Sequence, residues 1–134
     1  MKSQVSVEYL LIIGFVTLIT IPLVFIFFKY TAETSDEIVN LQVNQIANKI
    51  VDAAESVYFL GEPSQITIRV SIPGHIVGIS LDNREVIFNV SSISGISEIV
   101  KVSSVDLTGD LPTTQGIYSI TLKARSTGVE ISYK

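Results

Sequence analysis

The pattern of hydrophobic and polar positions divides the chain into three parts, and the first is an uninterrupted apolar run. From Leu10 to Phe28 there are nineteen residues without a charged side chain. As a helix this run is long enough to cross a bilayer hydrocarbon core of about 30 Å. Gly14 and Pro22 interrupt it, and because proline lacks a backbone N–H, we expect Pro22 to kink or locally melt the helix between Leu18 and Pro22. The sequence therefore predicts a membrane span close to the N-terminus.

The second part, residues 29–60, predicts an amphipathic continuation of that helix. Its polar start, residues 31–37, is expected to loosen the helix or to carry it into solvent. Apolar residues then recur at spacings of four and three, the pattern of a coiled-coil seam: Val39, Val43, Ile46, Ile50, Ala53, Val57 and Leu60. We expect this seam to pack on the sheet of the same chain, and packing of one side on neighbouring copies is left open. Gly61 and Pro63 predict the end of the helix.

The third part, residues 61–134, changes to a period of two, which is typical of half-buried strands. Strands are predicted over 65–72, 76–81, 86–90, 99–105, 118–124 and 129–133, with loops at 91–97 and 106–116. Five to seven short antiparallel strands indicate a small β-sandwich or curled sheet. The predicted fold class is α+β, with a long N-terminal helix packed on a small antiparallel β-sandwich-like domain.

Composition narrows the possible chemistry. The formal net charge is −4, and an acidic chain of this kind does not favour a nucleic-acid partner. The chain contains no Cys and a single His, His75, which we expect in a surface turn. Asp106 and Asp110 flank a glycine but lack the other ligands of a calcium loop, so we expect solvated acids there. With no nucleophile–base pair or phosphate-binding glycine loop, the sequence predicts neither an enzyme nor a cofactor site.

One sequence pattern in the third part indicates a possible modification. Asn89-Val90-Ser91 is an N-glycosylation sequon. If residues 61–134 lie outside the cell, Asn89 is a candidate for glycosylation, provided that it faces outward.

The residues that precede the apolar run are the most specific feature of the chain. Gln4, Ser6, Glu8 and Tyr9 form a Q-x-S-x-E-Y motif directly before a hydrophobic helix. This motif resembles the class III signal peptide of archaeal type IV pilin-like proteins. An ordinary secretory signal has a shorter apolar region, about 7–15 residues, followed by a small-residue cleavage site, and neither feature is present here.

The resemblance implies a processing site and an assembly site. In that family a prepilin peptidase cuts before the glutamine, after a small residue and a basic one, which Ser3 and Lys2 match. The implied parts are a leader over 1–3, a transmembrane and filament-core helix over 4–28, a helix extension over 29–60 and an extracellular β-domain over 61–134. An assembly ATPase and a membrane platform protein are further implied partners.

Glu8 has a role in this hypothesis that elementary electrostatics supports. Cleavage before Gln4 creates an α-amino group with an ordinary pKa of about 8, so it is mostly protonated at neutral pH. When apolar helices bundle, that amine of one subunit can approach Glu8 of the next and favour one axial register. The alternative is a solvated Glu8 at the level of the lipid headgroups.

The sequence hypothesis is therefore a structural one. The chain is expected to be a subunit of an archaeal type IV pilus-like surface filament used in adhesion, with the chain itself and membrane lipid as its main partners. Two alternatives stay open: a simple signal anchor, and a single-span extracellular module that binds a sugar or a surface without polymerising.

Overall fold

The structure is a computed structural model that describes the backbone of residues 2–134 and the side chains of residues 5–134. Helix α1 extends over Lys2–Leu60 and contains Pro22. The predicted local melting at Leu18–Pro22 is therefore wrong, because the helix continues through these residues. Proline removes one backbone N–H donor, and the helix continues on both sides of it.

Hydroxyl groups inside α1 add hydrogen bonds to the helix. Thr17 and Thr20 donate to the carbonyls of Ile13 and Val16, at 2.8 and 2.7 Å. Similar bonds to the carbonyl four residues earlier occur where the apolar run gives way to polar residues, at Thr31, Thr34 and Ser35. The polar stretch 31–37 is thus helical and does not loosen.

The chain divides into two compact units, residues 1–35 and residues 36–134. The second unit contains the end of α1 and seven strands within the described part of the chain: β1 (Gln65–Ile72), β2 (Ile76–Asp82), β3 (Glu85–Ser92), β4 (Gly95–Val102), β5 (Leu107–Gly109), β6 (Gly116–Arg125) and β7 (Gly128–Tyr133). This confirms the predicted α+β class, with the helix packed on antiparallel strands.

The strands of residues 65–133 form a four-stranded sheet, in the order β1-β6-β7-β5, and a three-stranded sheet, β2-β3-β4. Two predictions are wrong here. The predicted loop 91–97 is a tight hairpin, with Ser92 paired to Gly95, so β4 begins four residues before the predicted Ile99 and ends at Val102 instead of Val105. The predicted loop 106–116 contains β5, which pairs in parallel with β7, so the strands are not all antiparallel.

Strand β5 joins the two sheets. The N–H of Leu107 donates to the carbonyl of Asn83 in the β2–β3 turn, and the side chain of Leu107 is buried. At the end of the strand Gly109 has a φ of 117°, and a Cβ there would collide with the carbonyl oxygen of Ile131. Glycine is therefore required where β5 comes closest to β7.

One hydrophobic core fills the space between α1 and the strands. The helix contributes seven buried residues from the described part of α1: Val43, Ile46, Ala47, Ile50, Val51, Ala54 and Val57. The strands contribute alternate residues such as Phe88, Ile120, Leu122 and Ile131. The predicted seam is right at its centre and wrong at its end, since Ala53 is only half-buried and Leu60 is 68% exposed.

Three polar contacts attach α1 to the strands within residues 36–134. The Asp36 carboxylate accepts from the backbone N–H of Ile93 at 2.9 Å, beside the β3–β4 turn. Lys49 donates to the carbonyl of Arg69 in β1 at 2.8 Å. Glu55 binds Ser104, which follows β4.

Candidate functional site

The candidate site is the surface of α1 between Val5 and Phe28. Every large apolar side chain in this segment is exposed, from 44% at Val24 to 72% at Phe25. These side chains project on all sides of the helix, because apolar residues occupy nearly every position of the run. A helix that is apolar all round requires a lipid or protein environment, since water would leave this surface unfavourably hydrated. By length and composition the segment is able to cross a membrane.

Glu8 is the only acidic residue of the sequence before Glu33, and its side chain is exposed on α1. It lies just before the uncharged run, together with Ser6 and Tyr9 of the motif. A carboxylate inside the hydrocarbon core costs roughly 2.5–3.5 kcal/mol on insertion scales, so such a group usually has a partner. Lys2, Ser3 and the side chain of Gln4 lie outside the described side chains, and the cleavage site stays a prediction.

Gly14 is a position without a side chain on the apolar surface. A Cβ placed there would meet no atom within 4 Å, so glycine is not required for the fold of the isolated helix. Small residues on apolar helices allow another helix backbone to approach closely. Gly14 is therefore the position in this segment best suited to a close helix–helix contact.

At the end of the apolar run the charged side chains make a weak contact. Lys29 Nζ lies 3.9 Å from a carboxylate oxygen of Glu33, and both side chains are largely exposed. An exposed pair at this spacing contributes little to stability. The pair marks the point after Phe28 where charged residues begin again.

The two loop acids that the sequence predicted to be solvated, Asp106 and Asp110, are both exposed in the second unit. Asp106 accepts a hydrogen bond from Arg84 Nε at 2.8 Å, and this contact raises the pKa of the Arg84 guanidinium. Asp110 lies in the loop after β5, where its backbone N–H donates to the carbonyl of Ile131. Among residues 5–134 no three acidic or histidine side chains are grouped as metal ligands would be.

His75 lies in a surface turn, as the sequence predicted, and the structure decides the orientation of Asn89, which the sequence left open. His75 is exposed in the β1–β2 turn, and its carbonyl accepts from the N–H of Ser91 at 2.7 Å. Asn89 lies in β3, on the face opposite the buried Phe88 and Val90, so its side chain points outward. The condition set for its glycosylation is met.

A groove lies beside β1, between that strand and α1. It has a volume of about 300 Å³ and is lined by Gln42, Gln45, Ile46, Lys49, Arg69, Val70 and Ser71. A sugar-binding site of the kind considered above would combine aromatic and polar side chains, and no aromatic residue lines this groove.

Sequence reasoning missed the polar residues that attach α1 to the strands. Glu55 accepts from both the N–H and the hydroxyl of Ser104, and these hydrogen bonds lower the pKa of its carboxyl group. Asp36 and Lys49 bind the backbone of the strand region in the same way. The available signal was their position beside the apolar seam, but the sequence does not indicate which strand each one meets.

Comparisons with known proteins add nothing to the family resemblance, which rests on the Q-x-S-x-E-Y motif alone. No protein-family model matches the chain, and no curated protein or solved structure matches it either. The fold shown by residues 2–134 is an apolar N-terminal helix continuing into an α+β unit.

Proposed function

We propose that this chain is a type IV pilin-like subunit that is stored in the membrane, loses residues 1–3 and assembles into a surface filament. The observation that carries the proposal is the exposed apolar surface of α1 up to Phe28, together with the Q-x-S-x-E-Y motif at its start. A helix of this kind is stable in lipid, and neighbouring copies can supply the same apolar contacts.

The exchange of lipid for neighbouring helices is the physical basis of assembly in this proposal. Lipid tails are as apolar as leucine, so hydrophobicity alone does not drive helices together in a membrane. Close packing supplies the difference, and Gly14, which has no side chain, is a position where the backbone of a neighbouring helix can approach closely. Residues 36–134 form a compact unit of their own and, in the filament, they make its outer layer.

Glu8 sets the axial register between subunits. After cleavage the new α-amino group on Gln4 is a cation, and Glu8 of the adjacent subunit is an acid in the same apolar layer. Each charge would be costly without the other, so a slipped arrangement that separates them is disfavoured. The main effect of the pair is therefore to select one axial position of each subunit relative to its neighbour. Its contribution to the overall stability of the filament is small.

The proposal requires partners besides the chain itself. A prepilin peptidase removes the leader, and an ATPase with a membrane platform protein moves the subunit out of the bilayer. Adhesion to a surface is the biological use that fits an outer layer made of small β-domains. The role is structural and involves no catalysis by this chain.

Two measurements on the organism that makes the protein test the proposal. Intact-mass analysis of the mature protein is expected to show a chain that starts at Gln4, with allowance for cyclisation of that residue. Electron microscopy with mass spectrometry of isolated filaments is expected to find this chain as a subunit. A mature chain that keeps Met1, or one that starts beyond Phe28, contradicts the processing step. A processed chain found only as a membrane monomer contradicts the filament and favours the non-polymerising binding module.

A further inference from the structure

Three two-residue turns connect neighbouring strands within residues 65–133, and one of them differs from the others in polarity. They are Asn83-Arg84 between β2 and β3, Ile93-Ser94 between β3 and β4, and Ser126-Thr127 between β6 and β7. Short turns favour glycine, proline and small polar residues. Of these three turns, only the β3–β4 turn carries a large apolar residue. The side chain of that residue, Ile93, is 68% exposed.

The apolar turn lies at the end of residues 36–134 where that unit begins. The N–H of Ile93 donates to the carboxylate of Asp36, the first residue of the unit, at 2.9 Å. Beyond the other end of β4, Ser104 donates to Glu55, which lies much later on α1. Strand β4 therefore runs along the helix, with the β3–β4 turn beside Asp36.

The two polar turns lie at the opposite end of the same unit. The carbonyl of Arg84 accepts from the N–H of Ser103, next to the contact between Ser104 and Glu55. The β6–β7 turn follows Ala124, whose N–H donates to the carbonyl of Ser64, just beyond the end of α1. Polarity thus differs between the two ends of the unit, and the apolar turn is at the end that follows the apolar run in the chain.

The exposed apolar surface at this end is confined to the turn and the first residues of β4. Residues 86–97 contain no charged side chain. Ile96 is 69% exposed, which is close to the value for Ile93. Glu98 lies two positions beyond Ile96 on the same side of β4, about 7 Å further along the strand. A surface that covers the two isoleucines therefore stops short of Glu98.

Polar groups of the turn have partners within the chain. Besides the bond from Ile93 to Asp36, the Ser92 hydroxyl donates to the carbonyl of Gly95 at 2.9 Å. Ser92 and Gly95 also pair across the hairpin. A segment leaves water at low cost only when its backbone groups are hydrogen-bonded. The turn is therefore suited to contact with a surface of low polarity.

The chain itself brings such a surface close to the turn. Asp36 follows Phe28 by eight residues, and α1 is continuous through them. Eight helical residues rise about 12 Å, and the headgroup layer on each side of a bilayer core is about 5–8 Å thick. With the apolar run across a bilayer, Asp36 is held within several ångströms of the headgroups. The turn that Asp36 binds is within reach of the same lipid.

We propose that the β3–β4 turn is a second membrane contact, in which Ile93 and Ile96 enter the lipid headgroup layer while Glu98 stays in water. The contact restrains residues 36–134 at the membrane surface in the stored subunit. It has to be released when the subunit leaves the bilayer. The proposal rests on the proposed function in one respect, namely that residues 10–28 span a membrane.

Photolabelling of the full chain tests the contact without changing the sequence. The chain is placed in phosphatidylcholine nanodiscs at one chain per disc, with a photoactivatable group on the acyl chain close to the headgroup. Peptide mapping by mass spectrometry is expected to find lipid adducts on residues 91–97 and on the apolar run, and none on Ser126-Thr127. Ile93→Ser combined with Ile96→Ser is expected to lower the adducts on 91–97 several-fold. Both side chains are exposed, so this variant should keep the wild-type circular dichroism spectrum.

Tryptophan fluorescence adds a measure of depth with a matched control. The chain contains no Trp, so Ile93→Trp and Ser126→Trp each carry one, at the first position of a two-residue turn. Lipids brominated near the headgroup are expected to quench Ile93→Trp several-fold more than Ser126→Trp. Adding Ile96→Ser to Ile93→Trp is expected to weaken the quenching. Equal quenching of the two single variants would overturn the proposal.

The photolabelling result also separates this proposal from the proposed function. If the apolar run is labelled and residues 91–97 are not, the second contact is overturned while the proposed function stands. If residues 91–97 instead cross-link to another copy when several chains share a disc, the turn is an interface between copies and the membrane contact is again overturned. If neither segment is labelled, the membrane span fails and both proposals fail with it.

Discussion

Glu55 on α1 accepts two hydrogen bonds from Ser104, the residue two positions beyond β4. Its Oε1 lies 2.9 Å from the backbone nitrogen and 2.9 Å from the hydroxyl oxygen. The contact joins residues 49 positions apart, so it forms only when the helix has docked on the strands. It therefore reports the docking of α1 more directly than a contact within the helix does.

The charge on Glu55 makes this contact dependent on pH. The hydrogen bonds lower the pKa of Glu55 in the folded chain, so its ionised form stabilises the fold above the ordinary glutamate pKa of about 4.3. The contribution is lost as the pH falls from there through the lower folded pKa. Glu55→Gln keeps an acceptor but removes the charge, so we expect a lower Tm at pH 7 and a shrinking difference from wild type below about pH 4.

Thermal unfolding of the full chain in detergent, followed by circular dichroism, measures this difference. Asp52→Asn is a matched control, because Asp52 is an exposed acid about one turn earlier on the same helix. A Tm difference for Glu55→Gln that stays constant from pH 7 to pH 3 would contradict the role of the carboxylate.

Ile50 is the helix residue whose truncation tests the core most clearly. Its side chain is fully buried, and Ile50→Ala is expected to lower the free energy of unfolding by about 2–5 kcal/mol. Leu41→Ala is the control, since Leu41 lies on the same helix and is 58% exposed. We expect the control to change the free energy by no more than about 0.5 kcal/mol. Denaturant unfolding of the detergent-dispersed chain gives both values, and equal effects would show that α1 is not part of the core.

The compact unit 36–134 is expected to fold without the apolar segment. A fragment of residues 36–134 contains the buried face of α1 and all the described strands, so it should be soluble with mixed helix and strand content. A fragment of residues 61–134 lacks the helix and exposes the side chains that α1 covers, so it should aggregate. Size-exclusion chromatography and circular dichroism compare the two. If the shorter fragment were as soluble and as stable as the longer one, the helix would be dispensable for this core.

Glu8→Gln tests the register role with little change in shape. Without the charge the segment should enter the membrane at least as well as before, because the cost of desolvation falls. Processing should persist if the peptidase recognises mainly Ser3 and Gln4. Incorporation into filaments should fall, because the new N-terminal amine has lost its counter-charge.

The quantity to compare is filament yield relative to the processed subunit in the membrane, in cells that make only the variant. Glu33→Gln makes the same change beyond the apolar run, beside the exposed Lys29, and should leave this ratio near the wild-type value. Normal filaments of processed Glu8→Gln chains would contradict the register role and leave Glu8 as a determinant of insertion or cleavage.

The types of element were readable from the chain alone, because local periodicity reflects which faces are buried. Nineteen uncharged residues predict an apolar helix, and the alternation at Ile120, Leu122 and Ala124 predicts a strand with one face in the core. The Q-x-S-x-E-Y motif and the position of Glu8 are likewise sequence features, and the proposed function rests on them.

Which residues meet was decided only by the tertiary structure. A 3.5-residue seam drifts by about 20° per heptad relative to a straight helix of 3.6 residues per turn. The buried face therefore rotates away from Leu60 and takes in Ala47, Val51 and Ala54. Strand β5 pairs with β7 because Leu107 enters the core and Gly109 allows close approach, and a three-residue strand has too short a pattern to predict. The contact of Glu55 with Ser104 depends on the path of every element between them, so no local pattern contains it.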